Sequence, residues 1–201
     1  VLSCAVAHVG HLAIRNRGTI GGSLSHADPA AELPMMAVLL DATLRIVSAT
    51  GSRTVAAGDF FLDTMTIDLD GTELLTEVIL PKLPAQTGWG FEEIVRRHGD
   101  FALAAVAATL TLSGSEIVQA RIALTGVGPT PLRAVEAESL LVGRGFDENL
   151  CRRAIAAVRE AISPETDLHA SADLRRHLAG VLTSRALTAA WRRGRPDKSA
   201  A

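Results

Sequence analysis

The order of apolar and polar positions predicts a helix in the first fifth of the chain. Residues 30–40 repeat apolar side chains with a helical period. The apolar stripe consists of Leu33, Met36, Ala37 and Leu40. Asp28 and Pro29 precede it, in the order typical of an N-cap followed by a proline at the first helical position. We therefore expect a helix with one apolar face that begins close to Asp28.

Three short runs after this helix have the pattern of strands. They cover residues 43–49, 53–57 and 74–80. In the first run, Leu44 and Ile46 alternate with more polar neighbours, as expected for a strand with one buried face. Thr50-Gly51-Ser52 separates the first two runs and is typical of a tight turn. The pattern therefore predicts a hairpin followed by a third strand.

The second half of the chain begins with strands. A run at residues 91–97 leads to a turn at Gly99 and Asp100. The Ala-rich residues 101–112 fit a helix or a buried strand by periodicity, and we interpret 105–113 as a strand. Gly114-Ser115 then forms a turn to a partner strand at 117–126.

Helices are predicted from Arg133 to the end of the patterned sequence. They cover residues 133–141, 147–162 and 171–192, and the first two end before Gly143 and Pro164. One side of the last helix is expected to carry Leu174, Leu178, Val181, Leu182, Leu187 and Trp191. The sequence leaves open whether this side faces a core or an interface. The basic residues Arg192, Arg193 and Arg195 are interpreted as a solvated end.

A cluster of prolines and glycines divides the chain near its middle. Pro81, Pro84, Gly88 and Gly90 lie within ten residues and interrupt every periodic pattern. The sequence therefore predicts two domains, at residues 1–85 and 88–192, followed by a polar tail at 193–201. The order of helices and antiparallel strands indicates an α+β fold.

Composition narrows the classes of function. The 201 residues are 48% hydrophobic with a mean hydropathy of +0.25, which is sufficient for a packed core. Twenty Lys and Arg residues against 22 Asp and Glu residues give a net charge of −2, and aromatic residues make up 3%. This balance argues against nucleic-acid binding, which needs basic and aromatic surfaces.

The cysteines and the apolar runs bear on the cellular compartment. Cys4 and Cys151 are 147 positions apart, so they have neither a metal-ligand spacing nor the pattern of a disulfide framework. The longest apolar run, residues 101–112, is too short to span a bilayer, and the N-terminus lacks the pattern of a signal peptide. We therefore expect a cytoplasmic protein without a membrane span.

The glycine-rich stretch at residues 15–25 carries the strongest chemical signal and is predicted to be a loop. Gly18, Gly21 and Gly22 allow the backbone to approach a ligand, and successive amides in such a turn can bind an anion. Thr19 and Ser23 add hydroxyl groups, so a phosphate or pyrophosphate is a suitable ligand. The stretch matches neither the P-loop nor the dinucleotide fingerprint, and a surface turn remains the alternative.

Four motifs in this order resemble the FAD-binding subunit of the molybdenum hydroxylases, the family of xanthine dehydrogenase and aerobic carbon monoxide dehydrogenase. The first joins Thr-Ile-Gly-Gly-Ser at 19–23 to His-Ala-Asp-Pro-Ala-Ala-Glu-Leu-Pro at 26–34. The others are Glu-Leu-Leu-Thr-Glu-Val-Ile-Leu-Pro at 73–81, Arg-Arg-His-Gly-Asp-Phe-Ala-Leu at 96–103 and Gly-Val-Gly-Pro-Thr-Pro-Leu-Arg-Ala at 126–134. Together they extend over nearly all of the chain.

The resemblance implies a fold and a set of cofactor contacts. The first domain is expected to be the second lobe of a vanillyl-alcohol-oxidase-type FAD-binding domain. The second is expected to be the small domain of antiparallel strands and helices found at the C-terminus of carbon monoxide dehydrogenase flavoproteins. The implied FAD-binding residues are Thr19, Ile20, Gly21, Gly22, Ser23, His26, Asp28, Glu32 and Leu75.

The family assigns different parts of FAD to these positions. Backbone amides from Thr19 to Ser23 would hold the pyrophosphate, and Glu32 stands where the family often has an Asp that holds the ribityl or ribose region. Leu75 would lie against the isoalloxazine, and Glu92 stands where some members place a lysine near the flavin. The turn at 96–100 lies near the flavin in some relatives, and a solvated charged turn is the alternative for it.

By resemblance, the subunit relays electrons from iron–sulfur clusters of a partner through FAD to an external acceptor. Substrate would be oxidised at a molybdenum cofactor on another subunit, so no catalytic acid or base and no metal ligand is expected in this chain. The implied partners are the iron–sulfur and molybdopterin subunits of a heterotrimer, with its dimerisation left open. The family's first glycine-rich loop has no counterpart before Ile14. The alternatives are therefore a truncated partner-binding module without FAD, or a flavoenzyme that acts alone.

Overall fold

The computed structural model describes residues 1–195. Four helices form the N-terminal part of the fold, and the last of them is buried on all sides. They are α1 (Leu2–His8), α2 (Leu12–Arg15), α3 (Ile20–His26) and α4 (Glu32–Leu39). The predicted helix at 30–40 is confirmed as α4, but every one of its residues is buried rather than a single stripe.

A three-stranded antiparallel sheet packs on one side of α4. Its strands are β1 (Thr43–Ser48), β2 (Gly51–Ala56) and β5 (Leu74–Ile79), in the order β2-β1-β5. A short helix, α5 (Ala57–Phe60), and the small pair β3 (Phe61–Asp63) and β4 (Thr66–Ile67) connect β2 to β5. The predicted strands and hairpin are confirmed, whereas the sequence pattern missed α1, α2, α5, β3 and β4.

A four-stranded antiparallel sheet forms the second half of the fold. Its strands are β6 (Thr87–Val95), β7 (Ala102–Ser113), β8 (Glu116–Thr125) and β9 (Leu132–Arg133), in sequence order. Both faces of the central strand β7 are buried, which explains its unbroken apolar sequence. Val106 and Leu110 face the C-terminal helices, and Ala107 faces α4, so α4 lies between the two sheets.

Three helices cover the outer face of this sheet. They are α6 (Val135–Leu141), α7 (Glu148–Ala161) and α8 (Ala172–Gly194). Asp147 caps α7 by accepting a hydrogen bond from the Leu150 amide at 2.7 Å. Ser171 caps α8 in the same way through the Leu174 amide at 3.2 Å. All three predicted helices are confirmed, although α6 begins two residues later than expected because Arg133 belongs to β9.

Small residues bring α8 into close contact with β6. A Cβ atom on Gly88 would lie 1.9 Å from the carbonyl oxygen of Ala190, and one on Gly90 would lie 2.1 Å from that of Ala186. Gly88 and Gly90 therefore belong to a strand and not to the linker that the sequence suggested. Most of the leucine stripe expected on α8 faces the core: Leu182 and Leu187 are buried in it, and Leu178 and Trp191 pack against it. Leu174 departs from this expectation, since it is 43% exposed.

The end of α8 differs from the solvated tail expected at 193–201. Arg193 donates to the Trp89 carbonyl oxygen at 2.7 Å, and its guanidinium lies 3.9 Å from the centre of the Trp89 ring. The remaining tail residues, 196–201, lie outside the described part of the chain. Between residues 1 and 195, no helix is both long and apolar enough to cross a membrane. The domain boundary at 85–88 stays a prediction.

Candidate functional site

The glycine-rich stretch forms the start of a helix rather than a continuous loop. Thr19 is the N-cap of α3, and its Oγ1 accepts a hydrogen bond from the Gly22 amide at 2.9 Å. Its carbonyl oxygen accepts the Ser23 amide at 3.1 Å. The amides of Ile20 and Gly21, at the first two helical positions, have no intrahelical acceptor because no turn precedes them. The predicted loop at 15–25 was therefore wrong after Thr19, because the hydroxyl cap stabilises a helical turn despite two glycines.

Space for a ligand differs between the two glycines of this helix. A Cβ atom on Gly21 would meet no atom nearer than the Leu75 carbonyl oxygen at 4.0 Å. A Cβ on Gly22 would lie 2.9 Å from the Thr19 Oγ1 and would disturb the cap. Gly21 thus leaves an open surface beside the uncapped amides, at the point where α3 meets β5.

Leu75 is held beside α3 by an ion-pair network at the entry to β5. Arg53 on β2 donates to Glu73 from Nε and Nη2, each at 2.8 Å, and to Asp68 from Nη1 at 2.7 Å. Arg53 lowers the pKa of Glu73 to about 2, so the Glu73 carboxylate stays ionised near neutral pH. The network fixes the chain two residues before Leu75, which is half-buried in β5.

The far end of α3 presents the other predicted contacts. His26 is exposed in the last turn, and α3 ends at Ala27 in the left-handed region with φ of 53°. The sequence predicted that Asp28 caps α4, but the structure shows that it does not. Its Oδ1 accepts the Ala30 amide at 2.8 Å and closes a local turn, and α4 begins four residues later at Glu32. Pro34 therefore occupies the first turn of α4, where a missing amide is tolerated.

Glu32 is a buried carboxylic acid at the start of α4. The residue is 4% exposed, and burial raises the pKa of its carboxyl group from 4.5 to about 7. The negative charges of Glu93 and Asp28 raise this pKa further, while His8 lowers it. Glu32 therefore exchanges a proton near neutral pH, unlike a solvated glutamate.

A cavity of about 950 Å³ lies between the turn after α3 and the second half of the fold. Its walls include Asp28, the predicted turn at 96–100 and Phe101, whose side chain is 56% exposed. Arg96 and Asp100 lie 4.0 Å apart across this turn. The structure thus brings Asp28 of the first motif to the same cavity as Arg96, Asp100 and Phe101 of the third motif.

Arg175 closes the inner wall of this cavity and was missed by the sequence analysis. Its Nη1 donates to the carbonyl oxygens of Leu103 at 2.6 Å and Gly126 at 2.9 Å, and its Nη2 donates to Asp167 at 2.7 Å. The residue is 7% exposed. Arg175 lies between Leu174 and Arg176 in the polar first turns of α8, so the sequence did not distinguish it from a solvated arginine, although a buried arginine needs specific acceptors.

The histidines and cysteines have ordinary partners. His8 contacts Glu93, His11 stacks with His98 at 6.0 Å between ring centres, and Cys151 is buried in the C-terminal core. Within residues 1–195, no group of three or more His, Cys, Asp or Glu side chains is arranged to hold a metal ion. His8 and Glu93 are 85 residues apart in sequence, so no motif indicated that they are in contact.

Comparison with known proteins matches both halves of the chain. Residues 1–83 match the FAD binding domain in molybdopterin dehydrogenase, and residues 89–190 match the CO dehydrogenase flavoprotein C-terminal domain. The glyceraldehyde dehydrogenase medium chain of Sulfolobus acidocaldarius is 39% identical over 178 residues, which are 89% of this chain and 63% of that relative. The chain therefore spans less than two thirds of the length of that relative.

Two solved structures share the fold. Carbon monoxide dehydrogenase from Hydrogenophaga pseudoflava is 38% identical and superposes with a TM-score of 0.94, over 96% of this chain and 67% of that one. Quinoline 2-oxidoreductase from Pseudomonas putida 86 is 42% identical with a TM-score of 0.89, over 95% and 66% of the two chains. These matches confirm the α+β fold inferred from the motifs. The chain belongs to the family of FAD-binding medium subunits of the molybdenum hydroxylases.

Proposed function

We propose that this chain holds the FAD of a molybdenum hydroxylase complex, with the pyrophosphate at the N-terminus of α3. The match of residues 1–83 to the FAD binding domain in molybdopterin dehydrogenase is the observation that carries the proposal. The uncapped amides of Ile20 and Gly21, beside a glycine whose added Cβ would meet nothing nearer than 4.0 Å, support the place given to the pyrophosphate. Donating amides with open space in front of them fit a phosphate oxygen. Thr19, Gly22 and Ser23 hold this turn in place through the cap.

The remaining predicted contacts lie on α3 or on the segments next to it. His26 is at the opposite end of the seven-residue helix α3, about 9 Å from its first residue along the helix axis. Leu75 offers an apolar surface beside α3, and Asp28 and Glu32 lie in the segment that follows it. We propose that these residues, together with the amides at the start of α3, bind the pyrophosphate, the ribityl chain and the ring of FAD.

FAD would supply the one- and two-electron redox chemistry, so the residues of this chain need only bind, orient and shield it. We propose that the cofactor passes electrons from partner iron–sulfur clusters to an external acceptor. The medium-chain and subunit names of the relatives support a multi-subunit assembly. The iron–sulfur clusters and the molybdenum cofactor would then belong to partner subunits, and a cytoplasmic location is part of the same proposal.

Replacement of Gly21 tests the assignment of the pyrophosphate. The structure tolerates a side chain at Gly21, whereas one at Gly22 would also break the Thr19 cap. We expect Gly21→Val to weaken FAD binding at least about tenfold, or about 1.4 kcal/mol, because the valine side chain keeps phosphate from the amides. The dissociation constant is measured by quenching of flavin fluorescence in the presence of the partner subunits.

A matched control comes from Gly71, which lies in an exposed turn with no atom within 4 Å of an added Cβ. Gly71→Val should bind FAD as the original chain does. Equal affinities for the Gly21 and Gly71 variants would contradict a phosphate site at α3. A lack of retained flavin, with and without partners, would favour a partner-binding module that does not hold FAD.

A further inference from the structure

The segment that joins α3 to α4 is held by the second half of the fold through its carbonyl oxygens. Thr125, the last residue of β8, is completely buried, and its Oγ1 donates to the Pro29 carbonyl oxygen at 2.7 Å. The Ala31 carbonyl oxygen lies 3.3 Å from the same hydroxyl group. The Gly126 amide also donates to the Pro29 carbonyl oxygen, at 2.8 Å. Two neighbouring donors therefore fix the backbone that follows α3.

Gly126 is itself fixed by two other parts of the second half. Its carbonyl oxygen accepts from Nη1 of Arg175 at 2.9 Å, and the same Nη1 donates to the Leu103 carbonyl oxygen at 2.6 Å. Gly126 has a φ of 75°, and a Cβ atom on it would lie 2.9 Å from the carbonyl oxygens of Ala102 and Leu103. Glycine suits this position because it adopts a positive φ and adds no Cβ. The donors to Pro29 are therefore anchored to α8 and β7.

The residues held in this way line the cavity. Pro29 and Gly126 belong to its wall, as does Asp28, which is one of the predicted FAD contacts. The Asp28 Oδ1 accepts the Ala30 amide at 2.8 Å, and the Asp28 carbonyl oxygen accepts the Ala31 amide at 3.1 Å. Residues 28–31, here called the Asp28 turn, thus form one hydrogen-bonded unit that is attached to the end of β8.

We propose that Thr125 is a positioning residue for FAD binding, because its buried hydroxyl group holds the Asp28 turn in the shape that presents the Asp28 carboxylate to the cofactor. This role rests on the proposed function, which places Asp28 beside FAD. A carboxylate accepts hydrogen bonds from hydroxyl groups, which the ribityl chain and the ribose of FAD supply. A turn that is fixed before FAD arrives need not be ordered by binding, and this raises the affinity.

Replacement of Thr125 by valine removes the hydroxyl group and keeps the branched side chain. We expect Thr125→Val to weaken FAD binding about fivefold, as the loss of one hydrogen bond predicts, and Thr125→Ser to bind FAD as the original chain does. Thr54→Val makes the same change at an exposed position of β2 and should leave the affinity unchanged. The dissociation constant is measured by quenching of flavin fluorescence in the presence of the proposed partner subunits. Equal affinities of Thr125→Val and Thr125→Ser would overturn the proposal.

A second substitution separates positioning from a general effect on the fold. Asp28→Asn keeps an oxygen for the Ala30 amide and removes the carboxylate that would contact FAD. In the Asp28→Asn chain, Thr125→Val should therefore weaken FAD binding less than twofold. In the Gly21→Val chain, whose change lies at the other end of α3, Thr125→Val should still weaken it about fivefold. A fivefold loss in both chains would mean that the hydroxyl group supports only the fold.

Hydrogen exchange tests the Asp28 turn without cofactor. The Ala30 and Ala31 amides donate within this turn, so we expect them to exchange faster in Thr125→Val than in Thr125→Ser, while the amides of β1 keep their rates. Unchanged exchange of the two amides, or faster exchange throughout the chain, would refute the positioning role. A chain that retains no flavin but shows the faster exchange in the turn would contradict the proposed function and leave the attachment of the turn to Thr125 intact.

Discussion

The contact between β6 and α8 makes Gly90→Ala the clearest stability test. The added Cβ would lie 2.1 Å from the Ala186 carbonyl oxygen and 2.7 Å from the Ala186 Cα, whereas ordinary contacts begin at 3.4 Å. The atoms that it meets belong to backbone on a buried face, so no side-chain rotation can relieve the overlap. The helix or the strand must therefore move by more than an ångström.

Overpacking of a core costs about 1–3 kcal/mol, and a backbone collision belongs at the upper end of that range. A loss of about 3 kcal/mol should lower the Tm of a chain of this size by about 10 °C. Thermal unfolding followed by circular dichroism measures the change. Gly58→Ala is the control, because Gly58 lies in α5 with no atom within 4 Å of an added Cβ, and its Tm should stay the same or rise slightly. A Tm of Gly90→Ala equal to that of Gly58→Ala would refute the close packing of α8 on β6.

Two further predictions concern buried polar groups. Arg175→Lys should destabilise the fold by about 2–4 kcal/mol in urea unfolding, because a single ammonium cannot replace the bonds to Leu103, Gly126 and Asp167; an unchanged unfolding midpoint would contradict the clamp. Glu32 and Glu93 have pKa values raised to about 7, so the folded state binds their protons more tightly than the unfolded state does. This tighter proton binding stabilises the folded state fully below about pH 4.5. The stabilisation, about 3 kcal/mol for one such acid, is lost as the pH rises through about 7. The free energy of unfolding should therefore fall between about pH 5 and pH 8, and less steeply in Glu93→Gln; equal slopes would contradict the raised pKa of Glu93.

Local sequence signals predicted much of the fold because their physical causes are local. Asp147 and Ser171 cap α7 and α8 through amides three residues away. Gly114 forms the β7–β8 turn with a positive φ of 62°. The stretch after Thr19 was misread because two glycines indicate a loop, whereas the hydroxyl cap and the packing of Leu24 in the core stabilise the helix.

Features that depend on tertiary contacts could not be read from the sequence. Gly88 and Gly90 resemble linker residues until α8 is packed against them. His8 contacts Glu93 across 85 positions of sequence, and no spacing along the chain indicates this contact. Motif resemblance found Glu32, but its burial and raised pKa follow from the position of α4 between two sheets.

Flavin content of the assembled complex tests FAD binding most directly. The chain is purified together with the iron–sulfur and molybdopterin subunits proposed as its partners and passed through gel filtration after incubation with FAD. Its visible flavin absorbance is then compared with its concentration. We expect one FAD retained for each chain, and a lower content in the Gly21→Val complex than in the Gly71→Val complex. A complex that contains the chain but retains no flavin would contradict its assignment as the FAD-holding subunit.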